Sequence, residues 1–173
     1  MIRRCTTTDI AAMLDIVNDA AQAYRGVIPA DCWHEPYMPE SELRHEIADG
    51  VAFYGWEEGG ALTGVMGLQQ VDDVALIRHA YVRSARRGNG IGAALLAHLR
   101  KEARAPLLVG TWAAATWAIA FYQKQGFVLN VPEETRRLLR RYWKIPERQL
   151  ETSVVLSDSH VLADTLVGDR RQR

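Results

Sequence analysis

Arg87-Gly88-Asn89-Gly90-Ile91-Gly92 decides the fold, because it sets a cation and three glycines between an extended apolar run and an amphipathic helix. The run before it, Val74-Ala75-Leu76-Ile77-Arg78-His79-Ala80-Tyr81-Val82, has the length and composition of a strand. After it, Ile91, Leu95, Leu99 and Ala103 recur at a spacing of four, the stripe of one buried helix face. Glycine lets the backbone turn tightly and approach a ligand, and the first turn of a helix offers unbonded N–H groups at the positive end of its dipole. Arg86 and Arg87 add positive charge at the same place. Glycines also build plain connecting turns, but these flanks point to a phosphate cradle and a cofactor that carries pyrophosphate.

Outward from the loop, the pattern alternates strands and helices. Ile2 to Cys5 reads as a short strand, and Thr7 or Thr8 can cap a helix with Ile10, Leu14, Val17, Ala21 and Tyr24 on its apolar face. A loop from Gly26 to Pro39 follows, then a short helix from Glu42 to Ala48 that stops at Gly50. Val51 to Trp56, Glu57-Glu58-Gly59-Gly60 and Ala61 to Val71 form a hairpin pattern, with Asp72-Asp73 turning the chain into Val74. Beyond the cradle helix come a strand at Leu107 to Thr111, a helix at Ala114 to Gln125 ended by Gly126, and a strand at Phe127 to Leu129. Pro132 to Trp143 reads as a helix with early acids and late arginines, and Glu151 to Leu156 as the strand that closes the sheet. The fold class is α/β in the α+β sense: a mixed, mostly antiparallel central sheet flanked by helices, with one strand–helix–strand crossover.

The 173 residues suit one domain, 1–173, with a core of about 1–157 and a frayed polar tail over 158–173. Lysine plus arginine and aspartate plus glutamate balance at 21 each, which argues against nucleic acid or anionic lipid as a partner. The two cysteines, Cys5 and Cys32, form neither a disulfide framework nor a C-x-x-C site. The histidines at 34, 45, 79, 98 and 160 lack metal-ligand spacing, so no metal is expected. No leader and no apolar run of about eighteen residues is visible, so the expected location is cytoplasmic, without a membrane partner.

Gly88-x-Gly90-x-x-Ala93 also satisfies the dinucleotide fingerprint G-x-G-x-x-G/A. That fingerprint belongs on the first strand of a βαβ unit, with an acid about 20 residues on. Here the loop lies mid-chain after antiparallel strands, and the next strand ends Val109-Gly110-Thr111-Trp112 without an acid. The G-K-[ST] of an ATP-binding loop is absent as well.

Arg87-x-x-Gly90-x-Gly92 at the head of a helix, followed later by Ala118-Ile119-Ala120-Phe121-Tyr122-Gln123-Lys124-Gln125-Gly126-Phe127, resembles the GNAT acetyltransferase superfamily. The resemblance runs from Ile2 to Leu156. It implies an acetyl-CoA-dependent N-acetyltransferase that passes acetyl directly to a primary amine of a small molecule or peptide, without an acyl-enzyme. Acetyl-CoA would lie where the strand ending at Val82 splays from the strand Leu107 to Thr111. Arg86, Arg87, Gly88, Asn89, Gly90, Ile91 and Gly92 would hold the pyrophosphate. The backbone of Tyr81 and Val82 would bond the pantetheine arm and stabilise the oxyanion.

Tyr122 matches the family's usual general acid. Where many members carry an asparagine on the pantetheine, this chain has Ala115, which shifts the expected contacts to Thr111 or Thr116. For the base that deprotonates the amine, His79, His34 and Glu35 stay open. Trp33, Tyr37, Trp112 and Trp117, with His34 and Glu35, are the expected acceptor-side residues. The arginine-rich helix around Arg136, Arg137, Arg140 and Arg141 is either a face neutralised by Glu133, Glu134 and Glu147, or a site for an acidic acceptor or a second subunit. A homodimer is a family-level expectation. A non-catalytic CoA-binding sensor or assembly module on the same fold is the alternative function.

Overall fold

In the computed structural model, which describes residues 1–159, β3 (Ala61–Val71) turns Val65 to one face of a sheet and Met66 and Leu68 to the other. All three are buried, so this strand needs helices on both sides. On one face α1 (Ile10–Ala21) and α2 (Glu40–Ala48) pack Ile16, Val17 and Leu43 against Val65 and Phe53 of β2 (Ala52–Glu58). On the other, α3 (Ile91–Glu102) packs Ile91, Leu95, Leu96 and Leu99 against Met66, Leu68 and Ile77. The four-residue stripe read from the sequence is this buried face, although Ala103 lies one residue past the helix.

Among the described residues, seven strands run in the order β1-β2-β3-β4-β5-β7-β6. The first four, β1 (Ile2–Arg4) through β4 (Val74–Val82), are antiparallel neighbours in chain order. β4 then crosses through α3 to β5 (Leu107–Trp112), the only parallel pair among the described residues. That pairing covers only Ala75–Ile77 against Leu107–Val109, and beyond it β4 and β5 part.

The parting has a local cause. Val65 faces Tyr81 and Gly67 faces Arg78, so Met66 opposes both His79 and Ala80, a β-bulge in β4. His79 takes φ 49°, a left-handed conformation uncommon for a residue with a side chain. Gly67 makes the kink possible, because a Cβ there would sit 2.9 Å from the Arg78 carbonyl oxygen.

The sequence reading needs correction at several boundaries. Thr6, not Thr7 or Thr8, precedes the first turn, and its N–H donates to Asp9 Oδ2 at 2.7 Å. Tyr24 lies in a 3-10 turn after α1. α2 starts at Glu40, and α4 (Thr116–Lys124) starts two residues later than expected. α5 (Pro132–Tyr142) is followed by a short helix, α6 (Glu147–Glu151), that the sequence pattern did not suggest.

The last strand, β7 (Ser153–Asp158), lies between β5 and β6 (Phe127–Leu129) instead of closing the sheet. Val155 and Leu156 are both fully buried, as a two-sided central strand requires, while Val128 and Leu129 of β6 remain exposed at the edge. Asp158, expected in the tail, is the buried end of β7 and ion-pairs with Arg100 at 2.7 Å. The rest of the expected tail, residues 160–173, lies outside the described residues. On α5, Arg137 pairs with Glu134, Arg140 with Glu147 and Arg141 with Asp73, which is largely the neutralised face.

Candidate active site

The bulge at His79 and the end of the β4–β5 pairing open the sheet, and two clefts meet there. The first, about 480 Å³, runs from the Arg87–Gly92 loop along β4 to α4. The second, about 350 Å³, lies between the α1–α2 and α5–α6 pairs on the opposite face. Tyr24, Ile77, His79, Tyr81, Gly110 and Thr111 line both.

The loop is shaped for an anion. Gly88 and Gly90 take φ 80° and 76°, and Gly90 immediately precedes the first residue of α3. Among the described residues, the N–H groups from Gly88 to Ala93 have no backbone acceptor, and the first bond back to the loop is from Ala94 to the Gly90 carbonyl at 3.0 Å. Such a row of donors at a helix start suits a pyrophosphate. Arg87 donates to the Ala20 carbonyl at 2.9 Å, tying the loop to the end of α1, and Arg86 pairs with Glu58.

A Cβ on Gly90 would meet nothing, so its requirement is conformational, whereas Gly92 has only an ordinary 3.4 Å approach to the Phe121 ring. Left-handed backbone costs an L-residue roughly 1–2 kcal/mol. Gly90→Ala is therefore expected to weaken CoA binding about fivefold or more, by distorting the loop, and Gly92→Ala less than twofold. Calorimetric titration of both variants with CoA checks this, and equal losses would contradict it.

Of the other expected cofactor residues, Tyr81, Val82 and Thr111 line the first cleft, and Ile91 is buried beneath its loop. Asn89 and Thr116 do not line it: the Asn89 amide donates to the Arg86 carbonyl at 3.2 Å, and Thr116 is exposed at the start of α4. Ala115 is fully buried against Ile28 and Trp112, where an asparagine would have to displace packing.

Tyr122 is buried on α4, and the cleft passes its side chain. Phe121 and Phe127 fix the ring edge-on at 5.0 and 5.5 Å. Its hydroxyl has no hydrogen-bond partner among the described residues, which leaves it available to a ligand. Burial, with a smaller contribution from Tyr24, pushes the phenol well above its ordinary value.

The second cleft gathers some of the expected acceptor residues. Trp112 donates to the Tyr37 hydroxyl at 2.9 Å, and burial pushes the Tyr37 phenol up to about 12. His34 lines the same cleft beside Tyr37, its Nδ1 2.9 Å from the Pro36 carbonyl. Trp33 stacks behind Tyr37 at 5.6 Å without lining either cleft. Glu35 is exposed, outside both, with Arg25 at 3.9 Å. Trp117 lines the first cleft instead of the second and stacks on Tyr24 at 5.8 Å.

Other residues of the site were not singled out from the sequence. Tyr24 walls both clefts, and Trp143 of the α5–α6 segment lies flat on Gly110, where a Cβ would approach its ring to 3.3 Å. Arg148 bonds Asp31 at 2.8 Å across the second cleft. Glu46 lies 3.1 Å from His79 Nε2.

Residues 12–127 match the pattern described as Acetyltransferase (GNAT) family. No curated protein matches the chain. Among solved structures, the chain is similar to a ribosomal-protein-alanine N-acetyltransferase from Brucella melitensis, at 28% identity over 76% of this chain and 86% of that one, with a TM-score of 0.60. It also resembles the PaiA N-acetyltransferase from Thermoplasma acidophilum in complex with coenzyme A, at 16% identity over 91% and 97% of the two chains, TM-score 0.69. A third likeness is to the ribosomal-protein-S18-alanine N-acetyltransferase from Escherichia coli, at 20% identity over 91% and 92%, TM-score 0.63.

Proposed function

The chain belongs to the GNAT acetyltransferase family, and from that premise we propose that it transfers acetyl from acetyl-CoA directly to a primary amine of a small molecule or peptide. The observation that carries this reading is the meeting of two clefts, one headed by an anion cradle and the other walled by aromatic side chains, at the splay of β4 and β5. The cradle fits a CoA pyrophosphate, with the N–H groups of Gly88 to Ala93 and the Arg86 and Arg87 side chains as its donors. When bound, acetyl-CoA supplies an acyl carbon open to a neutral amine and a sulfur that needs a proton as it leaves. Tyr122 holds that proton, and the Tyr81 and Val82 backbone orients the acyl group. No acyl-enzyme is needed, because donor and acceptor share the residues at the junction.

The second cleft favours an acceptor with a single amine. Its charged lining residues are two acids and two arginines, Asp31, Glu42, Arg78 and Arg148. Arg148 pairs with Asp31, and Arg78 with Glu46 behind the wall. A polycation would need several acids free of partners, and burying it among paired charges is costly. Tyr24, Tyr37, Trp112 and Trp143 instead suit an apolar or peptide body. The two alanine N-acetyltransferase neighbours support a peptide N-terminus as one such acceptor.

A thiol-release assay with polyamines, amino acids, aminoglycosides and peptide N-termini tests this reading. Peptide or monoamine acceptors are expected to exceed spermidine in kcat/KM by about tenfold. A preference for spermidine would overturn the acceptor assignment. CoA binding without thiol release from any class would favour a non-catalytic module.

A further inference from the structure

Resting on that reading, we propose that His79 accepts the proton of the incoming ammonium group, and that Glu46, a positioning residue, holds the imidazole and balances its charged form. An amine with a pKa between about 7.7, for a peptide N-terminus, and about 10.4, for an alkyl amine, is mostly protonated at neutral pH and must lose one proton before its lone pair can attack. Of the three candidates for that task, only His79 lines both clefts. His34 lines the second alone and Glu35 neither.

The backbone delivers His79 to this point. The bulge in β4 and the left-handed φ of 49° turn Arg78 and His79 both toward α2, and a strained residue of this kind in a cleft is a marker of function. The ring stacks on Phe53 at 6.0 Å. Nε2 is sealed from solvent 3.1 Å from Glu46 Oε2, while 15% of the His79 side chain stays exposed. The accessible edge is therefore the other side of the ring, which carries Nδ1.

The approach of Nε2 to Glu46 lies off the N–H axis, so the carboxylate acts on the imidazolium, once it forms, by its charge more than through a linear hydrogen bond. Glu46 is in turn held by Arg78 at 2.8 Å, and Arg78 by Gln69 at 2.8 Å. Burial pushes the Glu46 carboxyl up, but His79 and Arg78 more than offset this and keep it below its ordinary value. The carboxylate is thus ionised and ready to balance an imidazolium.

Glu46 of α2 meets the ring, while Glu42 of α2, Arg78 and Tyr81 of β4, Tyr37 of the loop before α2 and Tyr24 of the turn after α1 share its cleft, and His45 acts on Glu46. Arg78 opposes the imidazolium and Glu46 favours it. The proton passes from the ammonium to Nδ1, leaving a lone pair on the amine, and the imidazolium later returns it to solvent.

The two neighbours give the test its sign. Glu46→Gln removes the carboxylate that balances the imidazolium and leaves Arg78 facing the ring, so the acidic limb of kcat/KM against pH should move to lower pH. Arg78→Met removes the opposing cation, so that limb should move to higher pH. Both are read from initial rates of thiol release across pH, with wild type as the reference. His79→Asn, a residue that tolerates left-handed backbone, should lower kcat at least tenfold with little change in CoA affinity.

Opposite shifts with a slow His79→Asn variant are the expected result. Acidic limbs that stay where wild type has them, or a His79→Asn variant as fast as wild type, would overturn the pair. If Arg78→Met does not fold, Glu46→Gln alone decides by its downward shift or lack of one. Failure of the acetyltransferase reading is separable, because it removes thiol release by wild type, whereas failure of the pair leaves thiol release in place and the acidic limbs unmoved.

Discussion

Tyr122→Phe is expected to lower kcat tenfold or more while leaving the Kd for CoA unchanged. The substitution removes one oxygen and keeps the ring that Phe121 and Phe127 pack edge-on at 5.0 and 5.5 Å. The hydroxyl bonds no other described group, so its loss costs the fold little. Without it the leaving thiolate must take its proton from water.

Ordinary values of about 10 for tyrosine and about 8.5 for a thiol make that transfer uphill by roughly 2 kcal/mol. The site could close this gap by acidifying the phenol or by destabilising the thiolate, and burial pushes the Tyr122 phenol up, against the first route. The same dry surroundings penalise a thiolate, which raises its proton affinity too. Calorimetry and steady-state kinetics on the variant separate binding from turnover. Wild-type kcat would remove Tyr122 from the chemistry.

Arg100→Met is expected to destabilise the fold by about 3 kcal/mol, lowering Tm by roughly 6–12 °C at this chain length. Asp158 is 3% exposed at the end of β7, and Arg100 meets both of its oxygens, at 2.7 and 3.3 Å. The guanidinium also donates to the Gln125 carbonyl and lies over the Phe127 ring at 5.3 Å. One side chain therefore binds α3, the end of α4 and the β6–β7 pair together. Removing it takes a cation that meets both oxygens from a buried carboxylate, whereas replacing both partners by apolar residues should restore much of the loss. A thermal melt of Arg100→Met within about 2 °C of wild type would contradict this.

Much of the donor side was legible in the sequence because local rules govern it. Gly88 and Gly90 must adopt positive φ, the α3 stripe must be buried, and Glu57 to Gly60 must turn a hairpin, whatever the rest of the chain does. The resemblance carried by Gly90, Gly92 and Tyr122 added the family.

The acceptor side depends on contacts between distant residues. His79 reaches Glu46 only because a bulge turns β4, and neither the bulge nor the small Gly67 that allows it leaves a periodic mark in the sequence. The Arg148 to Asp31 bridge joins residues 117 apart. Trp117 faces the donor side because tertiary packing, with its ring stacked on Tyr24, and no local pattern sets which way α4 turns its side chains. The apolar run of β7 fits an edge or a central strand equally well, and the burial of Val155 and Leu156 on opposite faces decides for the centre.

Direct transfer across the junction of the two clefts is the central claim, and initial rates with acetyl-CoA and acceptor both varied test it most directly. Intersecting double-reciprocal lines, one thiol released per amide formed, and an unchanged protein mass after acetyl-CoA alone are the predicted result. Parallel lines with an acetylated protein would contradict it.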